Sequence, residues 1–217
     1  YSPSLNQFQK YYPNAGKNSI SGNIVHEICE DDFGNIWIGT EDAGLNKINK
    51  ATGKITSYLA DGKPGSITYQ NIHGLIAVGN ELWVGTYEHG LDVLDINTGK
   101  KLRHYTTSED PNSIRGNFIV SLYKSKKNDV YVGTWNGLSK YDRKRNIFIA
   151  DTFFTTSIQS MMEDHNNIFW VGSYGGGVLW RNPQTGERGQ FLHDSTKRNS
   201  LISNYVNNIY QDSEHTI

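Results

Sequence analysis

GNIWIGT, residues 34–40, sets a tryptophan and two isoleucines beside two glycines and a threonine. Three close copies follow along the chain: ELWVGT at 81–86, DVYVGT at 129–134 and IFWVGS at 168–173. The aromatic positions of the four copies are 46, 48 and 39 residues apart: Trp37, Trp83, Tyr131 and Trp170. A period of about 40–50 residues is typical of β-propeller blades, each a sheet of four short strands. The spacing therefore predicts an all-β propeller.

The segments around each copy repeat in the same order. An alternating apolar strand, 24–28 in the first unit, aligns with segments that begin at Ile119 and Ile158. The polar turn EDDFGN at 30–35 leads to the WIGT strand, whose almost continuous apolar run suits a strand covered on both faces. A glycine-rich loop, a third strand, a Thr-Gly turn and a fourth strand follow. The fourth strand is more polar, which predicts an outer strand facing water.

A connector of the form KNSIS, at 17–21, recurs between the units as PGSIT, PNSIR and RNSLIS. The third unit lacks it, and this deletion accounts for the interval of 39 residues. We expect four nearly complete blades of four antiparallel strands and partial blades at both ends, so that the chain is a segment of a longer propeller. The predicted boundaries are 1–22 for the end of a preceding blade, 23–67, 68–114, 115–154 and 155–201 for the blades, and 202–217 for the truncated start of a following blade.

Composition excludes several classes of protein. Aromatic residues make up 12% of the chain and there are 22 glycines, which favours strands separated by turns. The net charge of −1 gives no general attraction to nucleic acid. A single cysteine, Cys29, excludes an internal disulfide and a cysteine metal cluster. No apolar run approaches the roughly 18 residues that span a membrane, and we expect contact with a membrane only through other parts of a longer protein.

The repeats resemble the regulator propeller repeats in the sensor region of bacterial hybrid two-component systems. The pattern of those repeats is matched in the first complete unit by Asn23, Ile28, Glu30, Asp31, Gly34, Trp37, Ile38, Gly39, Thr40, Gly44, Leu45, Thr52 and Gly53. The second unit departs from it by a shorter first turn, and the third places Lys126 and Asn128 where the turn has aspartate and glycine. These departures weaken single turns only.

The resemblance implies a periplasmic sensor that binds a ligand, often an oligosaccharide in such relatives, and signals through a membrane helix to a histidine kinase that regulates transcription. The kinase lies outside these 217 residues. We expect no catalytic residue, metal or cofactor in this segment and no nucleic acid as its partner. We also expect self-association as a homodimer, because open blade edges promote pairing.

The candidate ligand site lies on the loops between the second and third strands. In a propeller these loops open on the same face as the connectors, and the ligand site is usually near the axis of that face. Aromatic rings stack on sugar faces, and carboxylates and amides bond hydroxyl groups. The candidate residues are Glu41, Asp42, Tyr87, Glu88, His89, Trp135, Asn136 and Tyr174. The alternative for each aromatic residue is simple packing between neighbouring blades.

Two other features are open to a functional interpretation. Seven cations between Lys124 and Arg145 fall mainly on turns of the opposite face, where they are either solvated or contact an acidic partner or lipid. The pairs Glu30-Asp31 and Glu163-Asp164 stand on that face too, and nothing in the sequence makes them converge on one bond as glycosidase carboxylates do. The seven histidines show no metal-binding spacing. A propeller glycoside hydrolase or lyase, and a purely structural dimerisation module, remain the alternatives to a sensor.

Overall fold

The computed structural model describes residues 10–14 and 17–217, and this part of the chain contains sixteen strands and no helix. The strands form four antiparallel sheets of four strands, each in sequential order. The predicted all-β propeller is confirmed. Each sheet lies within one of the four predicted intervals, and we number the sheets blades 1 to 4.

Blade 1 contains β1 (Val25–Glu30), β2 (Ile36–Thr40), β3 (Leu45–Ile48) and β4 (Ile55–Tyr58). Blade 2 contains β5 (Ile72–Val78), β6 (Glu81–Thr86), β7 (Leu91–Asp95) and β8 (Lys101–Tyr105). Blade 3 contains β9 (Ile119–Lys124), β10 (Val130–Thr134), β11 (Gly137–Asp142) and β12 (Ile147–Ala150). Blade 4 contains β13 (Ser157–Glu163), β14 (Phe169–Tyr174), β15 (Gly177–Arg181) and β16 (Arg188–Phe191).

The two predicted partial blades have different outcomes. Half of the segment 1–22, residues 1–9 and 15–16, lies outside the described residues, and the part that is described contains no strand. In 202–217 a single antiparallel bridge joins Tyr205 to Tyr174 of blade 4. Val206 also donates its N–H to the carbonyl of Ser173, so this segment begins along the edge of blade 4.

The hydrophobic core lies between the blades. The first strands β1, β5, β9 and β13 contact one another in that order and form the inner side of the arc. Trp37 of blade 1 is fully buried in a cluster with Ile72, Leu75 and Leu94 of blade 2. The second strands β2 and β6 are buried on both faces, whereas the residues of the fourth strands β4 and β8 are all half-buried or exposed, as the polar sequences of these strands predict.

The glycine of each WIGT copy receives a side chain of the next blade. A Cβ atom at Gly39 would lie 2.6 Å from Cγ2 of Ile72, and one at Gly85 would lie 2.4 Å from Cγ2 of Ile119. The same relation joins Gly133 to Ile158 at 2.8 Å and Gly172 to Val206 at 3.0 Å. The glycine is required because any side chain would push the next blade away.

The threonine or serine of each copy fixes the loop that follows it. The buried Thr40 hydroxyl donates to the carbonyl of Gly44 at 2.8 Å, and Thr86 donates to Gly90 at 2.7 Å. Thr134 and Ser173 repeat the bond in blades 3 and 4. The repeated motif therefore sets both the contact between blades and the start of the loop that carries the candidate site.

The tryptophan of the motif is tied to the turn before its strand. Asp31 accepts hydrogen bonds from the N–H groups of Phe33 and Asn35 through Oδ1, and from the Trp37 indole through Oδ2 at 2.8 Å. Burial alone would raise the pKa of Asp31, but these bonds and those from the Asn35 amide outweigh it and hold the pKa below its ordinary value. Asp164 and Trp170 repeat the arrangement in blade 4.

The first strands differ from their predicted alignment by one residue. Val25 pairs with Thr40, as Ile119 pairs with Thr134, so Val25 and not Ile24 is the counterpart of Ile119. A β-bulge after Val25 also breaks the predicted simple alternation. The sequence alignment missed the bulge because the apolar pattern shifts by one residue across it.

Candidate functional site

The loops between second and third strands share one face with the blade connectors, as predicted. The N–H of Gly44 donates to Gln70 at 2.9 Å, and that of Gly90 donates to Asn117 at 2.8 Å. Equivalent bonds join Leu138 to Phe154 in blade 3 and Gly175 to Asn204 in blade 4. We term this side of the molecule the connector face.

Aromatic rings form a continuous path over the connector face. Tyr87 contacts Phe118 at a ring distance of 4.8 Å, and Phe118 stacks on Trp135 at 6.0 Å with an interplanar angle of 6°. Trp135 lies 5.5 Å from Tyr174, which lies 4.5 Å from Tyr205. We term these five residues the aromatic path. It runs from blade 2 to the segment that follows blade 4.

The rings of the path are accessible to solvent. Tyr87, Trp135 and Tyr174 keep 39%, 50% and 49% of their surface exposed. By contrast, the repeat residues Trp37 and Trp83 are fully buried between blades. Each of the three candidate aromatic residues therefore keeps more than a third of its surface in contact with solvent.

A cavity of about 580 Å³ opens beside the middle of the path. It is of the size that small-molecule sites usually have. Four of the eight candidate residues lie in it, together with three residues of the connector before blade 3: Tyr87, Glu88, Trp135 and Asn136, with Gly116, Asn117 and Phe118. A side chain at Gly116 would crowd Asn136, because a Cβ atom there would lie 3.2 Å from the Asn136 amide nitrogen.

Two polar candidates, Glu88 and Asn136, line the cavity, and the others lie outside it. Asn136 is held by Arg115, whose Nε donates to the Asn136 carbonyl at 2.6 Å. Glu88 has a φ of 57°, which turns the loop at the cavity edge. Glu41 lies outside the cavity, with its Oε2 3.6 Å from Nε2 of His26.

Two further candidates, His89 and Asp42, also lie outside the cavity. The His89 ring stacks on Tyr69 at 3.8 Å, and its Nδ1 lies 2.9 Å from the Tyr87 carbonyl. Asp42 is exposed on the loop of blade 1 beside Gly22. The structure thus brings together Tyr87, Glu88, Trp135 and Asn136, places Tyr174 next to them, and separates Glu41, Asp42 and His89 from them.

The sequence prediction of the site does not include three residues that pack together beside Tyr87: Phe118, His73 and His26. Phe118 bridges Tyr87 and Trp135, and His73 packs 5.2 Å edge-on against Phe118. His26 lies 4.4 Å from His73. Burial, and then the neighbouring His26, lower the pKa of His73 below its ordinary value, although Glu41 partly opposes this. The signal that could have found His26 and His73 is their common position in blades 1 and 2.

The opposite face is largely neutralised. Arg143 and Arg103 both bond Glu81, and Lys140 lies 2.7 Å from Asp129. The remaining contacts of the basic cluster join Lys124 to Asp32, Lys126 to the Asp164 carbonyl, and Arg145 to Asp142. These contacts favour the interpretation of the cluster as a set of surface turns.

The carboxylate pairs Glu30-Asp31 and Glu163-Asp164 also lie on the opposite face. Asp31 and Asp164 are occupied by their turns and by Trp37 and Trp170. Among residues 10–14 and 17–217, no group of three or more His, Cys, Asp and Glu is placed to hold a metal ion. Over the same residues the structure contains no helix long and apolar enough to cross a bilayer.

The comparison with family models identifies the repeat. The model of the two-component regulator propeller matches residues 19–42 and 152–175. Each match begins in the segment before a blade, includes the first two strands of that blade and ends in the loop that follows them. Two segments of the chain thus match the two-component regulator propeller repeat. This confirms the resemblance seen in the WIGT motif and its turn.

A curated relative and two solved structures extend the likeness. "Histidine kinase P4" of Formosa agariphila is 29% identical over 99% of this chain, which spans 13% of that relative's length. The extracellular domain of a hybrid two-component system of B. thetaiotaomicron has a TM-score of 0.79 at 22% identity, over 94% of this chain and 26% of that one. PorZ, a surface component of the type-IX secretion system of Porphyromonas gingivalis, has a TM-score of 0.70 at 15% identity, over 94% and 32% of the chains. At these identities the two structures show the fold alone.

Proposed function

We propose that this regulator propeller chain is a ligand-sensing segment of a periplasmic two-component sensor. In this proposal it binds an oligosaccharide on the connector face and regulates transcription through a histidine kinase outside the chain. The observation that carries the proposal is the aromatic path, a continuous row of rings from blade 2 to the segment that follows blade 4, in which Tyr87, Trp135, Tyr174 and Tyr205 are exposed.

The dimensions of the path favour a chain of sugars over a single one. Successive rings are 4.5–6.0 Å apart, so a ligand that follows the path contacts several rings in turn. Each exposed ring offers a flat apolar surface to the C–H face of a sugar, and Glu88 and Asn136 stand beside it to bond hydroxyl groups. Tyr and Trp provide this area at low entropic cost because each has only two side-chain torsions.

The relatives support the signalling part of the proposal. One carries the name of a histidine kinase, and one solved structure is an extracellular domain of a hybrid two-component system. Since the chain spans only 13% and 26% of these two proteins, the kinase, the membrane passage and the regulated genes belong to the proposal for the complete protein.

Calorimetric titration of the complete protein with a panel of oligosaccharides tests the proposal. Trp135→Ala and Tyr174→Ala should each weaken binding of the best panel member about tenfold or more, because each removes a stacking surface of about 1–2 kcal/mol. Phe33→Ala is the matched control, since Phe33 is 57% exposed but lies on the first turn of blade 1, on the opposite face. Binding that neither path variant weakens would show that the site is elsewhere.

The same measurements separate the alternatives. Release of shorter sugars from a bound oligosaccharide would identify a glycoside hydrolase or lyase. Absence of binding together with a concentration-dependent dimer in light scattering would identify a structural dimerisation module. We propose that the sensor also acts as a homodimer, and here a dimer that coexists with oligosaccharide binding supports the proposal.

A further inference from the structure

Each blade carries a β-bulge at the same place in its first strand. In blade 1 the pairing passes from Val25–Thr40 to Glu27–Gly39, which leaves His26 as the extra residue. The same shift occurs in the other three blades. The bulged residues of blades 1 to 4 are His26, His73, Val120 and Gln159. A bulge re-aims the side chain of its extra residue, and bulges are common beside binding sites.

In blades 1 and 2 the bulge brings two imidazoles to the end of the aromatic path. His26 and His73 lie 4.4 Å apart. His73 also contacts two members of the path, Phe118 at 5.2 Å and Tyr87 at 5.8 Å. A ligand that follows the path toward blade 1 therefore meets these two rings after Tyr87.

The two histidines can serve as hydrogen-bonding groups at this end. Burial and the adjacent His26 lower the pKa of His73, so its ring is neutral near pH 7 and offers one donor and one acceptor nitrogen. The Glu41 carboxylate lies 3.6 Å from His26. Together they form a cluster that can donate to and accept from neighbouring sugar hydroxyls.

The charge at the His26 end of the path disfavours an anionic group of the ligand there. Glu41 and Glu88 are carboxylates, and no Lys or Arg of the described chain forms an ion pair with either. Arg115 donates its Nε to the Asn136 carbonyl and keeps its positive charge beside the cavity. The like charge that disfavours a carboxylate on the ligand is therefore that of Glu41, beside His26 at the other end of the path.

We propose that His26 and His73, the bulged residues of blades 1 and 2, determine ligand specificity and, with Glu41, select an uncharged, hydroxyl-rich chain end over a uronate. This inference rests on the proposed function, because it names the ligand class of the same connector-face site. It assigns recognition to two residues that precede the WIGT motif, in addition to the loops that follow it.

Exchange of bulged residues tests the inference. The complete protein is titrated with neutral hexasaccharides built from glucose, xylose, mannose or arabinose, and with hexauronates built from galacturonate, mannuronate or guluronate. The unaltered protein should bind its best neutral hexasaccharide at least tenfold more tightly than any hexauronate. His73→Val, which installs the bulged residue of blade 3, should weaken neutral binding about fivefold or more through loss of a hydrogen bond.

Three further variants sharpen the outcome. His73→Gln installs the polar residue of blade 4 and should retain most of the affinity that His73→Val loses. Glu41→Gln should raise hexauronate affinity about threefold or more by removing a like charge. Gln159→Val, at the same position of blade 4, is the matched control and should leave the ratio of neutral to uronate affinity unchanged.

The failures of the two proposals are distinguishable. If Trp135→Ala abolishes binding but His73→Val and Glu41→Gln leave the ratio of affinities unchanged, the specificity inference is wrong and the proposed function stands. Tighter binding of a hexauronate by the unaltered protein has the same consequence. If no member of either group binds, both proposals are wrong.

Discussion

Ile72 of blade 2 occupies the space where a side chain of Gly39 would stand, with its Cγ2 only 2.6 Å from the position of such a Cβ atom. Gly39→Ala should therefore destabilise the protein by about 1–3 kcal/mol, the usual cost of overpacking a dense core. Urea unfolding followed by tryptophan fluorescence measures the change. Gly39 has no positive φ in this structure, so the loss reports the contact between blades and not backbone strain.

The double variant Gly39→Ala with Ile72→Ala isolates that contact. Ile72→Ala alone should cost about 2–4 kcal/mol, because it leaves a cavity in the core between blades 1 and 2. In the double variant the new methyl group partly fills that cavity, so the combined loss should be smaller than the sum of the single losses. Additive losses would contradict a direct contact between the two positions.

Asp31 connects the first turn of blade 1 to the repeat tryptophan. Asp31→Ala should destabilise the protein by about 2–4 kcal/mol, because it leaves the buried Trp37 indole N–H and the N–H of Asn35 without acceptors. Asp32→Ala is the control. The ion pair of Asp32 with Lys124 Nζ, at 3.8 Å, is exposed to solvent, so its removal should cost less than about 1 kcal/mol. Thermal unfolding of both variants checks the difference.

Blade 3 shows how the same turn is built without an aspartate. The counterpart of Asp31 is Ser125, one residue before the Lys126 that the sequence alignment places there, and its hydroxyl accepts the N–H of Asp129. The repeat aromatic of this blade is Tyr131, which has no indole N–H to bond. The double variant Asp31→Ser with Trp37→Tyr copies this pair into blade 1. It should recover stability relative to Asp31→Ser alone, and a further loss would contradict the proposed dependence of the tryptophan on the aspartate.

Burial of Glu27 makes the stability of the folded protein dependent on pH. Burial raises the pKa of Glu27 to about 7 from 4.5, so the folded protein keeps a proton that the unfolded chain releases. Its contribution to stability is therefore complete below about pH 4.5 and is lost as the pH rises to about 7. Glu27→Gln should be more stable than the unaltered protein by about 1–3 kcal/mol at pH 8 and equal to it at pH 4.

Urea unfolding at both pH values checks this prediction, and Glu30→Gln, on the same strand but exposed, controls for the loss of one negative charge. The position is informative because blades 3 and 4 have serine where blade 1 has Glu27: Ser121 and Ser160 pair with the same glycine of the motif. A Glu27→Gln variant that is not stabilised at pH 8 would show that the carboxylate is solvated.

The fold was predictable because the repeat motif records contacts between blades. Trp37 is buried against the next blade, Gly39 accepts Ile72 and Thr40 fixes the following loop, so each must recur wherever a blade meets another. The first strands were harder to align. The bulge at His26 shifts the apolar pattern by one residue, and a period of two cannot be followed across it.

The candidate site was predictable only in part. Tyr87, Trp135 and Tyr174 begin equivalent loops, so their common position marked them in the sequence. Phe118 joins Tyr87 to Trp135 but comes from a connector, where the repeats differ most. His89 was grouped with the site by its loop, yet it stacks on Tyr69 through contacts that no repeat position records.

The fluorescence of Trp135 should report whether a ligand is bound on the aromatic path. It is half exposed, whereas Trp37 and Trp83 are fully buried, so acrylamide should quench Trp135 more than these two. A bound oligosaccharide that stacks on Trp135 should reduce quenching, and Trp135→Phe should lose this ligand-dependent change while it keeps a ring for the ligand. Phe118→Ala removes the ring that lies parallel to Trp135 and should weaken binding about threefold to tenfold, since Trp135 loses its support. Ligand-dependent protection that persists in Trp135→Phe would place the ligand on other tryptophans and contradict the aromatic path as the binding surface.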